Sequence, residues 1–253
     1  MCGSKDCPPV PVNRELRGCS LRPIVEDKKM NVRLINIEWG DGQRVRRVVS
    51  RSNYRVTGKH PSWKRGGMAY WESPLERDAF RRLDGDSSVL NYEEQPAKIT
   101  YSIDGKTHTH YPDVLVSWRT RKGFLEIKTD RNADEDEIRE RTDIMCRLLP
   151  GTGYSYGLWR ESEIRIQPRL ANDIFLLRFG RQLVPAVGRE RVRRLFQEMS
   201  SIPWGVLAKQ LLGPDGLSYA ARLTLEGVLL VNRDVPISAA SLVRFNDANG
   251  SET

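Results

Sequence analysis

The sequence has few residues that could form disulfides or zinc sites, and it has no long hydrophobic segment. Its 253 residues include four cysteines, with no Cys-x-x-Cys pair, and three histidines. This argues against a structural zinc site and predicts reduced thiols. No hydrophobic run approaches the roughly 18 residues that a membrane span requires, and the first residues lack the apolar segment of a secretory signal. We therefore expect a cytoplasmic protein without membrane contact.

Positive charge is in excess, with 41 Lys and Arg against 33 Asp and Glu and a pI near 9.5. Fourteen cations lie between Arg14 and Arg65, against five acids. Aromatic side chains among them fit either a solvated basic arm or a contact with nucleic acid. Lys59, Lys64 and Arg65 are our candidates for binding DNA phosphates, with a solvated loop as the alternative.

Residues 58–168 alternate between strand and helix patterns. Ser73, Pro74 and Glu76 form the signature of a capped helix start. An Asp-Gly turn joins "AKITYSI" to "KTHTHY" as a hairpin, and "DVLVSW" and "FLEIKT" are two further strands. A helix over "DEDEIRERTDIMCRLLP" and the strand "YSYGLW" follow. This order predicts an α/β domain.

Residues 169–246 have a different pattern, in which three helices precede a hairpin. With Asn232-Arg233-Asp234 as a β-turn, this is the outline of a winged helix. We expect residues 1–57 to be a basic N-terminal arm and residues 247–253 to be a tail.

Charged residues interrupt two strands that otherwise consist of core residues. Glu126 and Lys128 share one face of their strand because side chains alternate, and an antiparallel pairing would bring Asp113 beside them. Carboxylate oxygens suit Mg²⁺ or Mn²⁺, which can activate water for attack at phosphorus. Lys128 would position or deprotonate that water, or neutralise charge. The alternatives are a turn aspartate, an ion pair on an exposed strand and a capping glutamate at Glu76.

The order of these motifs resembles the restriction-endonuclease-like nucleases, in which a Pro-Asp pair precedes Glu-x-Lys and a glutamate lies on an upstream helix. Residues 58–130 further resemble the catalytic domain of the TnsA family, the endonuclease subunits of heteromeric transposases. In that family a Ser-x-x-Glu helix start, Gln-Pro, Pro-Asp and [Glu/Gln]-x-Lys follow one another. The matching segments are Ser73 to Glu76, Gln95-Pro96, Pro112-Asp113 and Glu126 to Lys128.

The resemblance implies a mixed sheet flanked by helices, a winged-helix-like C-terminal domain and an Mg²⁺-dependent endonuclease in which Mn²⁺ can substitute. It further implies a bacterial, nucleoid-associated enzyme that cuts the 5′ ends of a transposon. A DDE-type transposase would cut the 3′ ends, and an AAA-type ATPase would regulate both.

Carried over by position, the family's site implies metal binding by Glu76, Asp113 and Glu126, with Glu126 acting either through its carboxylate or only through its backbone or a water. Lys128 would be the catalytic lysine, and Gln95 is a candidate for a residue that supports the ligands. Glu72 is an alternative to Glu76, since residues four apart share a helix face. The capping box favours Glu76.

Two other functions fit the same residues. One is a standalone nuclease of this fold that acts in restriction or repair. The other is a DNA-binding assembly module in which the nuclease fold is only a scaffold. The complete acidic and lysine set argues against the second.

Overall fold

The computed structural model describes residues 31–40 and 56–247. Most of the predicted arm at 1–57 and nearly all of the predicted tail at 247–253 lie outside these ranges. Within them, none of the helices combines the length and apolar character that a membrane span needs.

The described residues contain strands in four sheets. The sheets have the strand orders β1-β5-β6, β4-β7-β8-β9, β2-β3 and β10-β12-β11. The strands are β1 (Val32–Trp39), β2 (Gly58–Ser62), β3 (Gly67–Trp71), β4 (Val89–Glu94), β5 (Ala97–Ile103), β6 (Lys106–His110), β7 (Val114–Trp118), β8 (Lys122–Lys128), β9 (Tyr154–Arg160), β10 (Ile202–Pro203), β11 (Leu229–Val231) and β12 (Leu242–Phe245).

The helices are of unequal length, and three of them are single turns. They are α1 (Pro74–Gly85), α2 (Asp130–Ala133), α3 (Asp136–Leu148), α4 (Glu161–Ile164), α5 (Arg169–Phe179), α6 (Ala186–Glu198), α7 (Trp204–Val206) and α8 (Gly216–Leu225). A 3₁₀ turn over Leu149–Thr152 follows α3, and a π-helical turn over Leu207–Leu211 follows α7.

The four-stranded sheet is the centre of the first domain. Its strands pair antiparallel except for β8 and β9, which are parallel. One face packs on α1 through Leu125 and Ile127, and the other packs on α3 through Phe124. Because strand side chains alternate, Glu126 lies on the α3 face together with Phe124. The predicted mixed sheet flanked by helices is therefore confirmed in outline.

The helix start and the hairpin turn predicted from local sequence signals are both present in the structure. Ser73 is the N-cap of α1, where its side-chain oxygen accepts a hydrogen bond from the backbone N–H of Glu76. Asp104 and Gly105 have φ values of 47° and 82° in the turn between β5 and β6. Such left-handed values are those that an Asp-Gly hairpin turn requires.

The first strand is a feature that the sequence analysis missed. β1 lies inside the range predicted as a basic arm, yet it pairs antiparallel with β5 from Val32 to Trp39. Its residues Val32, Leu34 and Ile37 pack against the core on the α3 side of the central sheet. β1 and β5 are far apart in the sequence, so no local turn signal predicts their pairing.

The C-terminal part has its own hydrophobic core, formed by α5, α6, α8 and the β10-β12-β11 sheet. The connection between β11 and β12 runs from residue 232 to residue 241, so the predicted tight turn at Asn232 to Asp234 is wrong. Asn172 of α5 accounts for the difference, since its side-chain amide donates to the carbonyls of Arg233 and Val235. The winged-helix assignment stays a prediction.

A buried ion pair joins the two parts of the chain. The carboxylate of Asp173 on α5 accepts hydrogen bonds from Arg82 on α1 and from Arg233, the latter at 2.9 Å. Gly85 ends α1 against this carboxylate, and a Cβ there would lie 2.6 Å from the Asp173 Cγ. The contact is therefore close and fully desolvated on the Asp173 side.

The prediction of reduced thiols is wrong at one position. Cys146 on α3 is disulfide-bonded, and it is the only cysteine among the described residues. Disulfides are uncommon in cytosolic proteins, so the cytoplasmic location remains a prediction.

Candidate active site

Two neighbouring strands bring together the three charged residues that interrupt them. Asp113 immediately precedes β7, and the antiparallel register pairs Val114 with Leu125 on β8. The ammonium of Lys128 lies 2.7 Å from Glu126 Oε1 and 3.3 Å from Asp113 Oδ2. The predicted proximity of these side chains is thus present, while their catalytic roles remain predictions.

Three oxygen atoms converge on the Lys128 ammonium. Besides the two carboxylates, Lys128 Nζ donates to the backbone carbonyl of Ile127 at 3.2 Å. One cation therefore contacts oxygens of Asp113, Glu126 and Ile127. Carboxylate and carbonyl oxygens are the ligands that Mg²⁺ and Mn²⁺ prefer. This donor set fits a divalent cation, although no cluster of three or more acidic, His or Cys side chains with metal-site geometry occurs in the described ranges.

Glu76 lies at the start of α1, where its carboxylate takes part in the helix cap. Its Oε2 accepts from the backbone N–H of Glu72 at 2.9 Å, and its Oε1 accepts from the Ser73 hydroxyl at 3.1 Å. Burial is the main cause of the raised pKa of Asp113, and the charge of Glu76 adds a minor contribution to it. Glu72 lies outside the helix, in agreement with the capping-box interpretation. Glu76 as a metal ligand stays a prediction.

Gln95 forms hydrogen bonds to both Asp113 and Glu72. Its backbone N–H donates to the carbonyl of Asp113 at 2.9 Å, and its side-chain amide donates to Glu72 Oε1 at 3.1 Å. The residue is buried and has a φ of 43°, which is uncommon outside glycine. Gln95 therefore fixes the backbone at Asp113 relative to the entry of α1.

The pKa values of Asp113, Glu126 and Lys128 all differ from the ordinary values of these side chains. Burial, reinforced by the charge of Glu126, raises the pKa of Asp113 to about 7 in spite of Lys128 and the Ile127 N–H. Burial alone would raise the pKa of Glu126, but the hydrogen bond with His110 and the charge of Lys128 lower it. Burial would lower the pKa of Lys128, yet the two carboxylates raise it. At neutral pH Glu126 and Lys128 are thus charged, and Asp113 is near its midpoint.

Glu126 has partners that the sequence analysis did not name. Arg141 Nη2 lies 3.2 Å from its Oε1, while His110 Nε2 at 3.3 Å and the Tyr156 hydroxyl at 3.4 Å face its Oε2. Glu126 is only 3% exposed, which rules out the alternative of an ion pair on an exposed strand. Its carboxylate is held in one orientation by groups from β6, α3 and β9.

A signal for Arg141 was present in the helical spacing. Arg141 falls three residues after Ile138 and four before Met145, both of which are buried on α3, so a cation lies on the apolar stripe. His110, the last residue of β6, is also buried, with 6% exposure. Its burial depends on Tyr156 from a distant strand and has no local signature.

The three predicted phosphate-binding residues have different surroundings. Lys64 Nζ donates to the carbonyls of Leu83 and Asp86 at the end of α1, and burial lowers the pKa of Lys64 to about 8. Arg65 forms an ion pair with the buried Glu94. Lys59 is exposed, with its ammonium over the ring of Tyr70. Only Lys59 presents its charge to solvent without a polar partner among the described residues, and DNA binding by all three stays a prediction.

Comparison with known protein families identifies the central part of the chain. Residues 86–159 match the family model described as TnsA-like endonuclease N terminal. The matched segment contains Gln95, Asp113, Glu126 and Lys128 and begins after Glu76, and it confirms the family resemblance over less than a third of the chain. No curated protein matches the sequence. The match supports a nuclease domain of the kind found in transposase endonuclease subunits.

Proposed function

We propose, from this match to the TnsA-like endonucleases, that the protein is a divalent-cation-dependent DNA endonuclease. It would cut the 5′ ends of a transposon as one subunit of a heteromeric transposase. The observation that carries the proposal is the convergence of Asp113, Glu126 and the Ile127 carbonyl on the Lys128 ammonium. A DDE-type transposase and an AAA-type ATPase would be its partners on the bacterial nucleoid.

The residues that would hold Mg²⁺ are Asp113 and Glu126, with the carbonyl of Ile127 and with Glu76 as a further carboxylate. When bound, the cation would lower the pKa of a water ligand and offset negative charge at the phosphate. Asp113 suits this role because its Oδ1 has no hydrogen-bond partner among the described residues, while its Oδ2 accepts from the Ile127 N–H at 2.7 Å.

Lys128 would act as a cation rather than as a base. The neighbouring carboxylates raise its pKa above the ordinary lysine value, so it stays protonated at neutral pH and can donate to the scissile phosphate or the attacking water. A charged donor aimed at the developing negative charge stabilises the transition state. To deprotonate water as a general base, Lys128 would need a pKa lowered towards neutral pH.

The remaining partners of Glu126 would position its carboxylate. Arg141, His110 and Tyr156 occupy both of its oxygens from one side of the sheet. A carboxylate held by three groups cannot rotate freely, so the position of a bound cation would vary little between turnovers.

The direct test is cleavage of supercoiled plasmid DNA in Mg²⁺ or Mn²⁺, and of transposon-end DNA with the partner transposase present. We expect 5′-strand cleavage by the wild-type protein and none by Asp113→Ala. Asp136→Ala is the matched control, since it removes a fully exposed carboxylate from the start of α3. Equal cleavage by Asp113→Ala and wild type would contradict the proposal, as would the absence of 5′ cleavage by wild type with its partner.

A further inference from the structure

A cleft between the two parts of the chain is lined by cations. It has a volume of about 360 Å³, and β2, α1 and the C-terminal end of α5 form its walls. The cations that line it are Lys59, Arg77, Arg81, Arg178 and Arg181. None of its described lining residues is acidic.

The two arginines from α1 are only partly neutralised. Both guanidinium groups bind Asp78 Oδ1, Arg77 at 3.1 Å and Arg81 at 3.0 Å, while Arg165 binds the other oxygen at 3.0 Å. One carboxylate therefore serves three guanidinium groups. Burial and the charge of Arg77 lower the pKa of Arg81, as expected where cations are crowded.

The two arginines from the C-terminal part have no acidic partner among the described residues. Arg178 lies over the ring of Phe179, and Arg181 Nε donates to the carbonyl of Leu177 at 3.2 Å. Both residues are exposed. Their charges thus face the cleft without compensation, and crowded cations without counter-charges attract an anion.

The cations come from three elements of the fold. Lys59 lies on β2, Arg77 and Arg81 lie on α1, and Arg178 and Arg181 lie at and just after the end of α5. Five cations on three elements match the repeated negative charge of a nucleic-acid backbone better than the single charge of a small anion. Arg77 directly follows Glu76 on α1, so this helix contributes residues both to the cleft and to the candidate active site.

The geometry points to this cleft as a binding site for the phosphate backbone of DNA, formed jointly by α1 and α5. The assignment rests on the proposed function for the choice of DNA as the ligand. The cleft would hold the duplex flanking the cut, and Lys59 would be the one predicted phosphate-binding residue that belongs to it. Binding there would depend on the docking of α5 against α1.

The test is the salt dependence of duplex DNA binding, measured by fluorescence anisotropy without divalent cations so that no strand is cut. The variant is Arg178→Glu/Arg181→Glu. The control is Arg119→Glu/Arg121→Glu, which makes the same change of charge in the exposed turn between β7 and β8, at the end of the sheet opposite Asp113. Thermal unfolding of both variants establishes that each is folded.

We expect the cleft variant to bind roughly tenfold more weakly than wild type or worse. We also expect the slope of log K against log salt to become less negative by about 2, because two phosphate contacts are lost. The control should change each quantity much less. Equal effects of the two variants, an unchanged slope in the cleft variant, or no binding by wild type would overturn the inference.

The same variants separate this inference from the proposed function. If the cleft variant loses affinity but wild type with its partner cuts no DNA, the cleft is a DNA site and the nuclease proposal fails. If wild type cuts and the cleft variant binds and cuts as wild type does, the nuclease proposal stands and the cleft inference fails.

Discussion

Two aspartates in this molecule, one partly exposed and one buried, form ion pairs, and they differ in how completely their oxygens are used. Asp173, between α1 and α5, has Arg82 on one oxygen and Arg233 on the other. Asp113, at the end of the central sheet, shares Lys128 with Glu126 and uses only Oδ2 in hydrogen bonds among the described residues. Its side chain is 20% exposed, whereas that of Asp173 is 0% exposed.

A displaced pKa does not separate these two sites. Burial raises the pKa of Asp173 as it does that of Asp113. The difference is that Asp113 is partly exposed and its Oδ1 has no hydrogen-bond partner among the described residues, whereas both oxygens of the buried Asp173 are occupied. The first arrangement can accept a ligand, while the second holds two parts of the chain together.

The largest effect that we predict falls on cleavage at the Asp113 site. Lys128→Ala should slow DNA cleavage by about 10² to 10³ fold, because a charged donor to the transition state is lost. Arg233→Ala, which removes a cation from Asp173 instead, should leave cleavage per folded molecule unchanged. Equal slowing of single-turnover cleavage by the two variants would contradict a catalytic role that is specific to the Asp113 site.

The next effect falls on stability at the Asp173 site. Asp173→Ala should lower the free energy of unfolding by about 3 kcal/mol, since it leaves two desolvated guanidinium groups without their carboxylate. Urea unfolding measures the loss. Asp173→Ala with wild-type stability would show that the contact between α1 and α5 does not depend on this ion pair.

A third prediction distinguishes the two glutamates at the start of α1. Glu76→Gln keeps the cap, because glutamine also serves in a capping box, but it removes the carboxylate charge and should slow cleavage by about tenfold or more. Glu72→Gln keeps an acceptor for the Gln95 amide and should have a smaller effect. The reverse order in steady-state cleavage would make Glu72 the ligand.

The last effect is on the pH dependence of stability without divalent cations. The pKa of Asp113 is raised in the folded protein, so its contribution to stability is complete below the unfolded value of 3.8 and is lost as the pH rises through about 7. Wild type should therefore lose stability relative to Asp113→Asn between pH 4 and 7, by at most about 1.4 kcal/mol per unit. Urea titrations in a chelator measure it, and a relative gain with rising pH would contradict the displaced pKa.

The sequence predicted the parts of the molecule that local signals determine. Ser73 and Glu76 mark the start of α1, Asp104-Gly105 marks a hairpin turn, and strand alternation places Glu126 and Lys128 on one face. Each depends on residues within a few positions of one another, where backbone sterics and side-chain periodicity decide the outcome.

Long-range partners could not be predicted in the same way. β1 joins β5 across some sixty residues, so its strand character was hidden within a charged segment. His110 is buried because Tyr156 and Glu126 lie against it, and neither is a sequence neighbour. Arg141 was not predicted either, although a local signal for it exists, since a cation on the apolar stripe of α3 indicates a buried acid nearby.

The comparison between the two aspartates has one decisive measurement, the binding of Mn²⁺ followed by electron paramagnetic resonance. Wild type and Asp173→Asn should each bind Mn²⁺ with the same affinity, while Asp113→Asn should bind at least about tenfold more weakly, because it removes a carboxylate ligand. Mn²⁺ binding by Asp113→Asn equal to that of wild type would contradict a metal site at the end of the central sheet.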